Sequence, residues 1–406
     1  MKSLTLFLVS FFCFASTVSA QETHFPLGIW YEGGVGALRQ NVVPEDPAEA
    51  AKMYDRDFAD IAKHGIDVIV VPNTPPAHHK PLLDAAQKHN LKLIIELAHE
   101  GGDIGNMIRG AAPIDLARVH QMFETHLKPI QSHPALWKVQ LLDEPPIPAL
   151  EHYFQTAEAL RRYDPRHAPF CCLVGDGPVE PFVKSTRSDV AAFDCYPIGV
   201  NTPKGDGKTL RDFAQVASRA ALAAERNSAH AWAVLQCHAI TGQLRFPTPA
   251  EVRCMTWLSL ATGSKGVFWF LYQTESLDPA RTSIMSGLVD EKSQSSDRWD
   301  EVAKLTKEIK PLIPTLMQLT PSTQAASTKK NVSAFMLNDT QGRRYIFAVN
   351  IDTSERRTVV VGISSTKDIT VTRLPDNQKV QPTREGENLS WSADLEPGAA
   401  ALYRID

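Results

Sequence analysis

Beyond the first twenty residues the sequence has no apolar run long enough to cross a bilayer, so no membrane-spanning helix is expected there. It also has no block of basic residues. The 42 Lys and Arg against 46 Asp and Glu leave a formal charge of −4, which argues against a nucleic-acid partner. Cysteine is scarce: Cys13 lies in the N-terminal apolar stretch, and the odd set that remains, Cys171, Cys172, Cys195, Cys237 and Cys254, cannot complete a disulfide framework. These sit in apolar runs, where a free thiol packs as a small hydrophobe. No GxGxxG follows the first strand-like run, because Gly33-Gly34-Val35-Gly36 has the wrong spacing for a dinucleotide loop. No HExxH-like pairing of histidine and carboxylate occurs either, so neither a catalytic metal nor a cofactor is expected.

What is present begins with a leader. Lys2, the apolar run Leu4 to Phe14 and the small residues Val18-Ser19-Ala20 read as a secretory signal over residues 1–20, predicting a secreted or periplasmic protein. The remainder is too long for one ordinary core and predicts two domains. Eight β-rich runs follow: Pro26 to Tyr31, Ile66 to Pro72, Leu91 to Leu97, Ala135 to Asp143, Ala168 to Val174, Asp189 to Tyr196, Ala231 to Gln236 and Lys265 to Tyr272. Helical stretches separate them. Asp46-Pro47-Ala48-Glu49 and Thr248-Pro249-Ala250-Glu251 each have the N-cap, proline and glutamate of a helix start. Strands apolar on both faces and separated by helices pair in parallel, and eight such units over residues 24–320 fit a (β/α)8 TIM barrel. A linker is predicted around Thr320 to Ser327. After it, alternating runs with turn residues between them predict a small antiparallel β-sandwich over 328–406.

In such a barrel the site forms at the carboxyl ends of the strands. Strand one ends in Trp30-Tyr31-Glu32, strand three in Glu96, and strand four in Asp143-Glu144 followed by two prolines that cannot continue a ladder. Strand six ends in Asp194-Cys195-Tyr196, strand seven in Gln236-Cys237-His238, and strand eight in Trp269-Phe270-Leu271-Tyr272. Aromatic rings offer flat apolar faces to the C–H surfaces of a sugar, while carboxylates and amides take its hydroxyls. The rim therefore points to a carbohydrate substrate. Glu144, flanked by apolar residues, is the candidate general acid. The expected substrate contacts are Asp143, Glu32, Glu96, Tyr196, Gln236, His238, Trp269 and Tyr272. As neighbours in a strand, Asp143 and Glu144 should point to opposite sides.

Asp143-Glu144-Pro145 resembles the Asn-Glu-Pro signature of the retaining (β/α)-barrel glycoside hydrolases, whose glutamate is the general acid/base. Asp194-Cys195-Tyr196-Pro197 resembles their sixth-strand tyrosine segment, and Trp269 falls where their eighth-strand tryptophan floors the sugar site. The segment from Trp232 to Trp269 and the tail ending in Ala401-Leu402-Tyr403-Arg404-Ile405 are similar to a set of secreted bacterial glycosidases. The resemblance implies hydrolysis of O-glycosyl bonds with Glu144 as acid/base. Two residues depart from the pattern. Asp143 can only accept where asparagine would donate, and Gln236 stands where the nucleophilic glutamate belongs. The second carboxylate is then open among Asp194, Glu32, Glu96 and Glu275, with Asp194 taken as the catalytic partner. A barrel that binds glycans without cutting them is the alternative.

Overall fold

The structure is a computed structural model and describes residues 22–31, 43–97, 103–278, 280–325 and 332–406. The leader over residues 1–20 and the candidate contact Glu32 lie outside the described residues. Among the described residues no helix is long and apolar enough to cross a membrane.

Eight parallel strands close into a barrel: β1 Leu27–Trp30, β2 Val68–Val71, β3 Lys92–Glu96, β4 Leu136–Gln140, β5 in two pieces (Pro169–Phe170 and Cys172–Val174), β6 Val190–Cys195, β7 His230–Gln236 and β8 Val267–Phe270. Strand order follows the chain, and closure comes from β1 pairing with both β2 and β8. The first piece of β5 pairs with β4 and the second with β6, with Cys171 between them offering its carbonyl to the Ala192 N–H at 3.2 Å. Every strand but β7 is shorter than its apolar run, because the residues beyond the ladder turn outward into loops; β7 instead begins one residue earlier, at His230. The barrel interior is filled by Trp30, Phe170, Trp232 and Phe268 among aliphatic residues of β2, β3 and β6. Gly28 is required here, since a Cβ on it would come within 2.1 Å of the Phe268 ring.

The surrounding helices are α1 Pro47–Lys63, α2 Pro76–Lys88, α3 Asp103–Arg109, α4 Leu116–Met122, α5 Leu150–Tyr163, α6 Val179–Thr186, α7 Gly207–Glu225, α8 Pro249–Ala261 and α9 Asp297–Ile309. Asp46 caps α1 by accepting from the Ala48 N–H, and Thr248 with Glu251 forms a complete capping box on α8. The long helical pattern from Ser296 to Gln318 is broken. It ends as α9 at Ile309, and a turn of 3-10 helix and a four-residue helix follow, because Pro311 and Pro314 cannot continue it.

The C-terminal part is a sandwich of a six-stranded and a three-stranded antiparallel sheet. Its first strand is Thr320–Ala325, paired with Val332–Asn338 at the edge of the six-stranded sheet, so the predicted linker is partly sheet. The sandwich docks on α8, where the Trp257 and Phe347 rings lie 6.0 Å apart.

A third, three-stranded sheet rises from the loops that follow β7 and β8. Its strands lie in the order Glu275–Ser276, Ile284–Ser286, Ala239–Ile240. It caps one side of the barrel mouth, with Met285, Ile240 and Leu277 packing into the interior cluster.

Candidate active site

At the carboxyl end of the barrel the acidic groups that follow β4 and end β6 converge. The chain leaves β4 at Gln140 and turns sharply at Glu144, which takes a left-handed conformation with φ 47°. Two contacts fix the turn. The Glu144 N–H donates to the Cys172 carbonyl at 3.1 Å, and Arg109 of α3 donates to the Asp143 carbonyl at 3.2 Å. The ladder has ended by this point, so the strand alternation behind the expectation that Asp143 and Glu144 face opposite ways does not extend to them. The charges of both carboxyls act on the Cys172 thiol and the Tyr196 phenol, raising each.

Asp194, on β6, is 5 % exposed and lies within hydrogen-bonding reach of the Glu144 carboxyl. Burial first, and then the Glu144 charge beside it, push Asp194 up to about 8. Asp194 therefore keeps its proton at neutral pH, within reach of the Glu144 carboxyl. Glu144 itself is exposed, so the burial that the sequence suggested for it is found at its partner. Burial first, and then the charges of Asp194, Asp143 and Glu144, push the Cys172 thiol well up, keeping it neutral. Cys172 therefore belongs to the floor of the site as well as to the core.

One wall is aromatic. The half-buried Tyr196 ring lies 4.7 Å from His238 and 5.4 Å from Phe270, and Phe270 lies 6.1 Å from Trp30. His238 is buried, which pushes it down to about 4, so it is neutral. Its Nδ1 is 3.1 Å from the Phe270 carbonyl; because a carbonyl only accepts, Nδ1 carries the proton and Nε2 is left as an acceptor. Nε2 has no hydrogen-bond partner among the described residues, and neither end of the buried Gln140 amide on β4 has one. Buried polar atoms of this kind normally have a partner, and a ligand or water meets that need.

Three expected contacts belong elsewhere. Trp269 is fully buried on the outer side of β8, with its Nε1 donating to Thr256 of α8 at 3.3 Å; the inward residue is its neighbour Phe270. Tyr272 also faces outward, stacked on Tyr31 and donating from its hydroxyl to Asp60 of α1 at 3.0 Å. Gln236 is 0 % exposed and its amide is fully engaged. Oε1 accepts from the Ile198 N–H at 2.8 Å, while Nε2 faces the carbonyls of Ile198, Arg245 and His238 at 3.0, 3.2 and 3.4 Å. It clamps the loops after β6 and β7 and has nothing left for a substrate. Glu96 is buried on β3 with Oε2 accepting from the Asn73 N–H at 3.0 Å. It shares with Glu144 the neighbourhood of the Cys171 thiol. The structure thus brings together Glu144, Asp143, Asp194, Tyr196 and His238, with Glu96 at the β3 side. Sequence reasoning missed Cys172, Gln140 and the inward placement of Phe270; alternation put Phe270 on the same face as Phe268, but which face looks inward is decided by the packing of Phe268 against Gly28.

Over residues 149–312 the chain matches the glycoside hydrolase 42 family model, described as Beta-galactosidase. No curated protein matches the sequence. Among solved structures, a GH27 β-L-arabinopyranosidase from Geobacillus stearothermophilus superposes with a TM-score of 0.56 at 13 % identity, covering 94 % of this chain and 96 % of that one. A glycoside hydrolase family 5 mannosidase from Rhizomucor miehei superposes at 0.53 and 11 % identity, covering 72 % of this chain and 94 % of that one. A β-galactosidase from the psychrophilic Marinomonas ef1 aligns at 0.49 and 14 % identity over 72 % of this chain, which spans 62 % of that enzyme's length. The chain has the (β/α)8 barrel on which these glycoside hydrolases are built, followed by a β-sandwich, and carries over residues 149–312 the sequence pattern of a glycoside hydrolase family.

Proposed function

We propose that this protein is a glycosidase that hydrolyses O-glycosyl bonds, with Glu144 presenting the proton of the Glu144–Asp194 pair to the leaving oxygen. One observation carries the reading. A buried carboxyl that keeps its proton near neutral pH stands in contact with an exposed carboxyl at the mouth of a barrel. A glycosidic oxygen leaves as an alcohol only if it is protonated as the C–O bond breaks, and the pair is such a proton store. Asp143, Tyr196, Phe270 and His238 supply polar contacts and ring faces for one sugar unit. The match of residues 149–312 to the family described as Beta-galactosidase makes β-galactosides the first substrates to test. The leader pattern at the N-terminus supports action outside the cytoplasm.

The test is a panel of 4-nitrophenyl glycosides and galactose-containing oligosaccharides, read by released phenol and reducing sugar. Wild-type protein should turn over at least one, and Glu144→Gln should lower kcat by roughly 10²–10⁴-fold while binding persists. Equal turnover by wild type and Glu144→Gln removes Glu144 from the chemistry. Glycan binding without turnover by wild type favours a non-catalytic receptor.

A further inference from the structure

The Glu144–Asp194 pair answers only half of the chemistry, because two carboxyls in contact leave no room between them for a sugar and a water. The carboxylate that faces the pair must come from another part of the rim. Glu96 on β3 is on the Glu144 side, sharing with it the surroundings of Cys171. Gln236 on β7 is an amide whose donors and acceptor are all engaged.

Glu275 differs in both position and direction. It follows β8, and in a closed barrel of eight strands in chain order β8 stands diametrically across from β4, which Glu144 follows. Its direction is set by the cap sheet. Glu275 is directly opposite Met285, and Met285 is directly opposite Ile240. Side chains directly opposite in an antiparallel ladder lie on the same face, and those two residues apart along a strand do so too. Met285, Ile240 and Leu277 all pack into the barrel interior beside Trp30 and Phe270. The face that carries Glu275 is therefore the one turned down into the mouth, and Glu275 is 1 % exposed.

From this geometry we propose that Glu275, carried on the cap sheet, is the catalytic base that makes the enzyme an inverting hydrolase. The proposal rests on the reading of Glu144–Asp194 as the acid. A water held between Glu275 and the sugar gives one proton to the Glu275 carboxylate as its oxygen bonds to the anomeric carbon. The glycosidic C–O bond breaks on the opposite face, its electron pair goes to the leaving oxygen, and that oxygen takes the proton of the Glu144–Asp194 pair. One water is consumed, no oxidant or reductant is needed, and the pair and Glu275 then regain their starting protonation through solvent. An inverting hydrolase needs carboxyls roughly 6.5–9.5 Å apart to leave room for that water, which a pair in contact cannot give.

Three measurements on the full chain test the proposal. NMR of the first product released by wild-type protein should show the anomer opposite to that of the substrate. Glu275→Gln and Glu275→Ala should lower kcat by roughly 10²-fold or more with little change in melting temperature. Azide should restore turnover to Glu275→Ala by taking the place of the activated water. Retained configuration in the product overturns the inference, as do Glu275 variants that turn over like wild type. If Glu275→Ala does not fold, the wild-type anomer decides alone. Loss of activity in Glu144→Gln but not in the Glu275 variants leaves the glycosidase standing and removes only the base; indifference to both sinks the acid reading itself.

Discussion

At Asp194 two effects act in the same direction: burial away from water, and the Glu144 carboxylate within hydrogen-bonding reach. The folded protein therefore holds a proton that the unfolded chain releases near pH 4, and keeps it up to about 8. Between those values the folded state binds more protons than the unfolded state, so stability falls as pH rises through the window and levels off above it. Asp194→Asn has no proton to lose. Its stability relative to wild type, read from denaturant melts, should climb from pH 4 to pH 8 and then stay flat, the gain reaching on the order of a few kcal/mol. A difference that does not change across this window would show that the carboxyl is ionised in the fold. Little of this was legible in the sequence. Asp194 could be named from its place at a strand end, but its contact with Glu144 depends on the left-handed turn at Glu144, which no residue type there demands. The same turn ends the alternation that a strand would have imposed on Asp143 and Glu144.

Among the elements, the eight strands were readable because each is apolar on both faces and bounded by helix caps, as Thr248 and Glu251 show at α8. What failed was the choice of face at the strand ends. On β8 the alternation allows either Trp269 or Phe270 to look inward, and the decision is made by a contact with another strand, the close approach of Phe268 to Gly28. The cap sheet was unreadable for a related reason: its strands are two or three residues long and paired only by tertiary folding. Gln236 belongs to this scale, since it ties the turn after β6 to the turn after β7. A glutamate at this position would keep the Ile198 N–H but place a carboxylate against the carbonyls of Ile198, Arg245 and His238, with no donor for any of them. Gln236→Glu should therefore destabilise the fold by roughly 3 kcal/mol or more, increasingly as the carboxyl ionises, and should add no activity. Denaturant melts at pH 5 and pH 8 measure it. A variant that matched wild-type stability and gained turnover would show that the position can be a nucleophile after all.

For the whole molecule, the question is whether the sandwich is an appendage or part of the barrel's fold. Helix α8 is buried nearly all round, with Val252, Met255, Trp257, Leu258 and Leu260 inside. A helix apolar on every side needs cover on every side. The barrel covers one face and the sandwich the other: Trp257 packs on Phe347, the Cys254 thiol lies 3.8 Å from the Asn350 carbonyl, and a Cβ on Gly398 would collide with the Ala250 carbonyl. Lys265 reinforces the junction from below, its ammonium donating to the carbonyls of Leu316 and Leu319 just before the first sandwich strand. A barrel cut at Leu319 would return Trp257 and its neighbours to water at a cost of about 1.5–3 kcal/mol for each large side chain uncovered. The truncated chain should melt several degrees below the full chain or associate through the bared helix, as read by thermal melts and light scattering on matched samples. Because the sandwich lies on the flank at α8 and the acid pair at the mouth, any truncated protein that stays folded should keep the pH profile of the full chain. A monomeric barrel with an unchanged melting temperature would show that α8 is stable without its cover, and the sandwich would then need a role other than closing the core.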